Sequence, residues 1–257
     1  VTVAVVTGAA KGIGRATAAR LTADGATVVG VDVDASGLSE TSAALGSRFV
    51  PLVGDASRLA THEAAAARAG AAGQLRWWVN NAGVDAQGSA HEITEEHVDH
   101  YLRVLLAGQM LGMSVAVRHF MEHNGGAIVN VSSIQGLFAF PRAFVYQAAK
   151  AGVLMATRSI AVEYASKGIR CNAVLPGTIL TPMTEAVLDL SLGLEAALRT
   201  EGELSPMGRV GTAEEVADTI AFLLSDQASY INGAGLPVDG GTIARCYPYP
   251  PSDEPVA

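Results

Sequence analysis

Only two cysteines occur in 257 residues, Cys171 after an apolar run and Cys246 near the end, so a disulfide framework is excluded and both read as free thiols. Charge is also scarce: charged residues make up 16%, and the net charge of -8 comes without Lys/Arg runs. The electrostatic footprint of a nucleic-acid binder is missing. No stretch supplies the roughly 20 uninterrupted apolar residues that a bilayer span requires. The N-terminus shows no basic region followed by a cleavable apolar segment, so a cytoplasmic protein with no membrane partner is expected. Metal chemistry lacks its ligands. His91-Glu92 is followed by Glu95 where a second histidine would complete H-E-x-x-H, and His119/His123 have no evident third partner. No serine sits in a G-x-S-x-G elbow, which disfavours a serine hydrolase.

What is present is apolar: 49% of the residues. Short Val-rich runs recur at 3–7, 27–32, 48–53, 77–80, 127–131 and 169–174, with helical patterns at 15–23, 95–123, 144–165 and 213–224 among them. The strand runs are apolar on successive residues, as when helices cover both faces of a parallel sheet. The expected fold is therefore α/β, a single Rossmann-like doubly wound parallel sheet of about seven strands with helices on both faces. One nucleotide-binding and catalytic domain is expected over 1–246. Residues 180–210, following Pro176-Gly177 and rich in Leu, Met and Gly, read as a substrate lid without a sheet strand. The proline-rich 247–257 reads as an extended tail.

Directly after the first strand, Gly8, Gly12, Ile13 and Gly14 open a helix. A strand, a glycine turn and a helix N-terminus form a diphosphate cradle, because glycine permits close backbone approach and the helix start presents amide N–H groups. The spacing departs from G-x-G-x-x-G, and a glycine cluster alone can be a tight turn. At the end of the second strand Asp32 can accept hydrogen bonds from both ribose hydroxyls and repel a 2′-phosphate. It can also simply start a turn, since Asp34, Ser36 and Gly37 follow. Lys11 pulls weakly toward NADP, but Asp32 outweighs it, and NAD is the expected cofactor.

In Tyr146-Gln147-Ala148-Ala149-Lys150, tyrosine and lysine lie four apart near a helix start and share a face. An adjacent ammonium favours the phenolate, so the expectation is a lowered tyrosine pKa and acid–base chemistry. Ser133 stands at the C-terminal end of a strand, where open α/β sheets bind ligands, and can hold a substrate oxygen. Ser132 reads as its structural neighbour.

The glycine pattern, Asn80-Asn81-Ala82-Gly83, Ser133, Tyr146/Lys150, Pro176-Gly177 and Val238-Asp239-Gly240-Gly241 occur in one order over about residues 1–242. Together they resemble the short-chain dehydrogenase/reductase family. The resemblance implies hydride transfer between NAD(H) and a secondary alcohol or ketone, with Ser133, Tyr146 and Lys150 catalytic. It also implies cofactor contacts by Asp55 at the adenine, by Asn81, Ala82 and Gly83 beneath the cofactor, and by Pro176, Gly177, Ile179 and Thr181 near the nicotinamide. Lys150 would hold the nicotinamide ribose, and a homotetramer is implied.

One family position is missing. The asparagine that completes the family's tetrad by supporting a proton-relay water is replaced by Leu105, and no asparagine occurs between Asn81 and Asn124. Either proton exchange takes another route, or the protein binds NAD with weak or no catalysis in a regulatory or assembly role. Substrate contacts are expected from Gln135, Phe138, Phe140, Phe144 and Met183, whose mainly apolar character suggests a neutral, fairly hydrophobic small molecule. Arg142 could grip a carboxylate, though a solvated arginine is the plainer reading.

Overall fold

The computed structural model describes residues 1–245 other than 187, 189, 190 and 192; Cys246 and the expected tail 247–257 lie outside the described residues. Its centre is a seven-stranded parallel sheet in the order β3-β2-β1-β4-β5-β6-β9. These strands are β1 (Thr2–Thr7), β2 (Thr27–Asp32), β3 (Phe49–Val53), β4 (Gln74–Asn80), β5 (Gly126–Val131), β6 (Ile169–Pro176) and β9 (Gly235–Val238). The strand order reverses beside β1, leaving a crevice between β1 and β4 at their C-terminal ends.

The sequence shows why the middle of this sheet is central. Every residue of β5 is buried, and Val3 through Val6 of β1 are fully covered, whereas edge strand β3 alternates toward solvent. Helices α1 (Gly12–Ala23) and α9 (Ala213–Leu224) close one face over Val6, Val28, Val129 and Val174. The other face packs α3 (Leu59–Ala72), α5 (Gly108–Glu122) and α6 (Phe144–Tyr164) over Val5, Leu75, Trp78 and Ile128. The doubly wound expectation is met.

Two of the helices covering the sheet escaped the sequence reading, α2 (Ala35–Leu45) and α3. Their buried stripes are thin, Leu38 with Thr41 and His62 with Ala65 and Ala69, so helical periodicity is faint. The long helix expected over 95–123 is three pieces: α4 (Glu95–Leu102), a π-helical turn (Arg103–Ala107) and α5. That combined helix, Glu95–Glu122, is long and apolar enough to cross a membrane by length and composition alone, its most apolar 18 residues having a mean hydropathy of 1.3. Half of that stretch is buried in the fold, as a core helix requires.

Residues 180–210, expected as a substrate lid without a sheet strand, are instead bracketed by two short strands that form a small sheet of their own. β7 (Ile179–Leu180) pairs in parallel with β8 (Gly211–Thr212), and between them lie α7 (Pro182–Glu185) and α8 (Leu194–Gly202). Ile179 is carried into the core, which ties the start of the segment to the sheet. At its far end Thr212 and Glu215 form a reciprocal capping box on α9, and Arg209 pairs with Glu215 at 2.6 Å.

Candidate active site

The glycine turn is built by exclusion of side chains. Gly8 and Gly12 have φ of +70° and +56°, a region that costs other residues a steric penalty. A Cβ on Gly14 would collide with the Gly8 carbonyl oxygen and crowd the Asn81 amide. Lys11, at the start of α1, offers no side-chain cap. The first N–H groups of α1 thus have no side-chain acceptor at the helix end and suit an anion.

Two polar residues hold this turn. Thr7 Oγ1 accepts from the backbone N–H groups of Asn81 and Ala82 at 3.0 and 3.1 Å. The Asn81 amide donates to the carbonyls of Thr7 and Gly8 at 3.0 and 3.2 Å. The Asn81 side chain is therefore committed to fixing the turn. Thr7 was not singled out in the sequence, because its function is to anchor a strand end rather than to complete a motif. Gly83 follows, and a Cβ there would reach Leu105 at 3.4 Å.

Asp32 ends β2 beside this turn. Its Oδ2 accepts from the Ala10 N–H at 3.0 Å and its Oδ1 from the Asp34 N–H at 3.0 Å. The turn-starting role is real, but it is shared with orientation: the carboxylate is held at the crevice, and the α2 cap falls to Asp34, which accepts from Gly37. Asp55 follows β3. Burial raises its pKa, but hydrogen bonds from Ser57 and the Arg58 charge outweigh that and hold it below the usual carboxylate range.

Across the crevice, β5 and α6 bring Ser133, Tyr146 and Lys150 together. Ser132 pins the helix by donating to the Lys150 carbonyl at 2.8 Å, which bears out its structural role. Gly136 lets the loop come close, since a Cβ there would lie 3.0 Å from the Lys150 carbonyl. Ser133 Oγ accepts from the Gln135 N–H at 3.1 Å and lies close enough to Tyr146 to pull its pKa down. Lys150 is buried, and its Nζ donates to the Val131 carbonyl at 2.9 Å.

The expected lowering of the Tyr146 pKa is corrected by this geometry. Burial pushes the phenol up, Ser133 pulls it down, and Asp85 pushes it up again. The lysine does not reverse the balance, because its ammonium lies over the ring, 5.5 Å from the centroid, and bonds a carbonyl. Burial in turn pushes Lys150 down to about 8, placing it within reach of proton exchange near neutral pH.

Leu105 sits in the π-helical turn, fully buried with Ala86 and Ala149 and packed near Tyr146. The asparagine's place is occupied by hydrocarbon. The π turn itself persists, with the Gly108 N–H bonded to the Arg103 carbonyl.

Pro176 ends β6, and Gly177 lies so near Asp239 that a Cβ would stand 3.0 Å from its Cα. Thr181 caps α7 and its methyl would meet a Cβ on Gly12 at 3.3 Å, so the lid begins against the glycine turn. Of the expected substrate contacts, Phe138, Phe144 and Met183 are exposed and Gln135 is half-buried. Phe140 instead packs on Ile134, Leu154 and Leu175, and its carbonyl accepts from Gln147 at 2.6 Å. Arg142 is paired with Glu92 at 3.6 Å rather than free for a carboxylate. A separate cavity of ≈ 300 Å³ lies between the lid and β9, around Glu201, Ser205 and Asp239, away from Tyr146. Among the described residues no group of three or more potential ligands could hold a metal.

The glycine turn, Ser133, Tyr146 and Lys150 thus border one crevice of a doubly wound sheet. A family model described as enoyl-(acyl carrier protein) reductase matches residues 8–242. The chain belongs to the short-chain dehydrogenase/reductase family. Cis-4-hydroxycyclohexanecarboxylate dehydrogenase of Sinomonas cyclohexanicum is 44% identical over 248 residues, covering 94% of this chain and 96% of its own. The 2-(R)-hydroxypropyl-CoM dehydrogenase of Xanthobacter autotrophicus is 38% identical over 251 residues, covering 94% and 98%. The crystal structure of levodione reductase superposes with a TM-score of 0.90 at 37% identity, covering 96% of this chain and 98% of that one. The chain is accordingly a family oxidoreductase acting on alcohols or ketones, with a small-molecule substrate and a nicotinamide dinucleotide as cofactor.

Proposed function

We propose that this protein is an NAD-dependent dehydrogenase that oxidises a neutral, fairly hydrophobic secondary alcohol to a ketone, or runs the reverse reduction. The observation that carries the reading is the convergence of Ser133, Tyr146 and Lys150 at the sheet's C-terminal edge, opposite the glycine turn. The dehydrogenases and reductases among its relatives support the reaction class.

The residues fit a dinucleotide. Gly8, Gly12, Ile13 and Gly14 would face the diphosphate, in a cradle that a Cβ at Gly14 would fill. Asp32, held by Ala10 and Asp34, would take the adenosine ribose and disfavour a 2′-phosphate, which supports NAD over NADP. Asp55 would lie by the adenine, and Asn81, Ala82 and Gly83 below the cofactor. Pro176, Gly177, Ile179 and Thr181 would flank the nicotinamide. Ile179, whose side chain is in the core, would do so through its backbone. When bound, the nicotinamide supplies the hydride acceptor or donor.

The chain's own residues handle the oxygen and its proton. Ser133 orients the substrate oxygen, and Tyr146 takes the hydroxyl proton in oxidation or returns it in reduction. Lys150 would hold the nicotinamide ribose and would exchange the proton onward. Phe138, Phe144, Gln135 and Met183 border the substrate, and the pairing of Arg142 with Glu92 favours a neutral substrate over an acidic one. Exposed Met110, Met121, Met155 and Val162 on α5 and α6 support assembly through those helices into a homotetramer.

NADH absorbance across a panel of secondary alcohols and ketones tests the reading, with NAD and NADP compared side by side. Turnover with NAD that falls by about 10²- to 10⁴-fold in Tyr146→Phe is expected. Tight NAD binding without turnover on any substrate would instead identify a binding module, and activity indifferent to Tyr146→Phe would sink the mechanism.

A further inference from the structure

The Val131 carbonyl accepts two hydrogen bonds. One comes from Lys150 Nζ at 2.9 Å, the other from the side-chain amide of Gln109 at 3.2 Å. Gln109 stands on α5 four residues beyond Leu105, and both side chains are buried. It is only 3% exposed, and its Oε1 has no partner in the structure. A buried amide oxygen is costly to leave bare, and polar sites of this kind are ordinarily completed by a water bonded to several groups. Three elements therefore deliver polar groups to one point: β5 a carbonyl, α6 an ammonium and α5 an amide with an acceptor to spare.

We propose that Gln109 is a positioning residue for Lys150, its amide fixing the shared Val131 carbonyl and its Oε1 seating a water that takes the lysine's proton, in place of the asparagine lost at Leu105. The proposal rests on the alcohol dehydrogenase reading given above. The step is a proton transfer only: an N–H bond of the ammonium breaks, an O–H bond forms on the water, and the water passes one of its own protons toward solvent. No oxidant or reductant is involved. The substitution at Leu105 and the glutamine one turn further along the same helix then belong together, since the polar function removed from the first position is supplied from the second. Among the described residues, the titratable groups on the elements packed here are Tyr146, whose ring lies under the ammonium, Asp85 from the loop after β4, which acts on Tyr146, and Tyr101 from α4, which packs on the Leu105 cluster. None of these lies on α5 or β5, so a change at Gln109 alters the lysine's surroundings without removing a charge.

The test uses Gln109→Met, which keeps the volume and removes both polar atoms. Expected are a kcat lowered by about tenfold near pH 7, with KM, NAD affinity and Tm close to the parent's. The Lys150 Nζ titration, followed by NMR of ¹⁵N-lysine-labelled protein without cofactor, should move down, because the ammonium loses a hydrogen-bond acceptor. Adding Leu105→Asn in that background should recover most of the lost kcat. Should Gln109→Met not fold, Gln109→Asn, which retains the amide but withdraws it by one methylene, should fold and show the same directions. An unchanged Lys150 titration overturns the proposal, whether kcat holds or falls together with Tm. Because that titration needs no substrate, it reads the Gln109 link even if no alcohol or ketone is turned over, which separates failure here from failure of the dehydrogenase reading.

Discussion

Around β1 the site is made by backbone: the glycine turn leaves no room for a Cβ at Gly14, and Thr7 and Asn81 stitch it to the neighbouring strand end. Around β5 and α6 it is made by side chains: Lys150 and Gln109 each donate to the Val131 carbonyl at the end of β5 and Ser132 donates to the Lys150 carbonyl on α6, beside an apolar cluster containing Leu105. A backbone-built site tolerates almost no substitution, because strand, turn and helix must move together. A side-chain site can lose one group and recruit another from the next turn of a helix. That difference explains how the chain keeps every glycine of the cofactor turn while departing from the family at Leu105.

The largest effect should come from breaking the first side. Gly14→Ala forces a methyl against the Gly8 carbonyl and is expected to cost about 3 kcal/mol of stability, as overpacking of a rigid site does. NAD binding should be lost with it. Urea denaturation and a dinucleotide titration read both, and a variant with parental stability would show that the turn has freedom the geometry denies.

Next is Lys150→Met, on the side-chain half. Burial pushes Lys150 down to about 8, from the 10.5 of a free lysine. Below pH 8 the folded protein carries the whole penalty of a buried ammonium. As pH rises from about 8 toward 10.5 the folded state releases that proton before the unfolded state does, so stability rises. Lys150→Met should therefore be more stable than the parent at pH 7 by about 2 kcal/mol, with the gap closing above pH 8, while turnover is abolished. Thermal melts of the cofactor-free proteins across pH provide the check. A gap that is flat with pH would mean that the lysine is not strained by burial.

Leu105→Asn probes the departure itself. The side chain is fully buried among Ala86, Ala149 and neighbouring apolar groups, so an amide there should cost about 1–2 kcal/mol, measured as a fall in Tm. Its kcat should stay within about twofold of the parent's if Gln109 already completes the relay. A clear gain in kcat would instead mean that the leucine limits proton exchange.

Legibility in the sequence followed the same divide. The glycine turn, the central strands and the Tyr146–Lys150 spacing were readable because each depends on local sequence: a φ requirement, an apolar run or a helical repeat. Thr7, Gln109 and the Ala10 contact of Asp32 were not, because their meaning arises from contacts between residues 22 to 75 apart in sequence. The raised Tyr146 pKa was misjudged for a related reason. Helical spacing places Lys150 beside Tyr146, but only the packed site shows that the ammonium faces the ring and a carbonyl rather than the phenol oxygen.

The smallest expected effect lies at the rim of the substrate side, where backbone strain has been accepted rather than designed out with glycine. Arg142 has a φ of +59°, and its carbonyl accepts from the Gly88 N–H at 2.9 Å, which fixes the loop that leads into α6. Its ion pair with Glu92 at 3.6 Å is exposed and contributes little. Arg142→Gly relieves the left-handed strain but frees the unfolded chain, so the two should nearly cancel, leaving Tm changed by less than about 0.5 kcal/mol in equivalent stability. Kinetics should respond differently. With the guanidinium gone, Glu92 loses its ion pair and keeps only the hydrogen bond from the Ser89 N–H, and a neutral alcohol should show an unchanged KM. A KM that rises for a carboxylated alcohol alone, and stays raised when Glu92→Gln is added to remove repulsion, would reveal that Arg142 receives the substrate carboxylate and would move the substrate class from neutral to acidic.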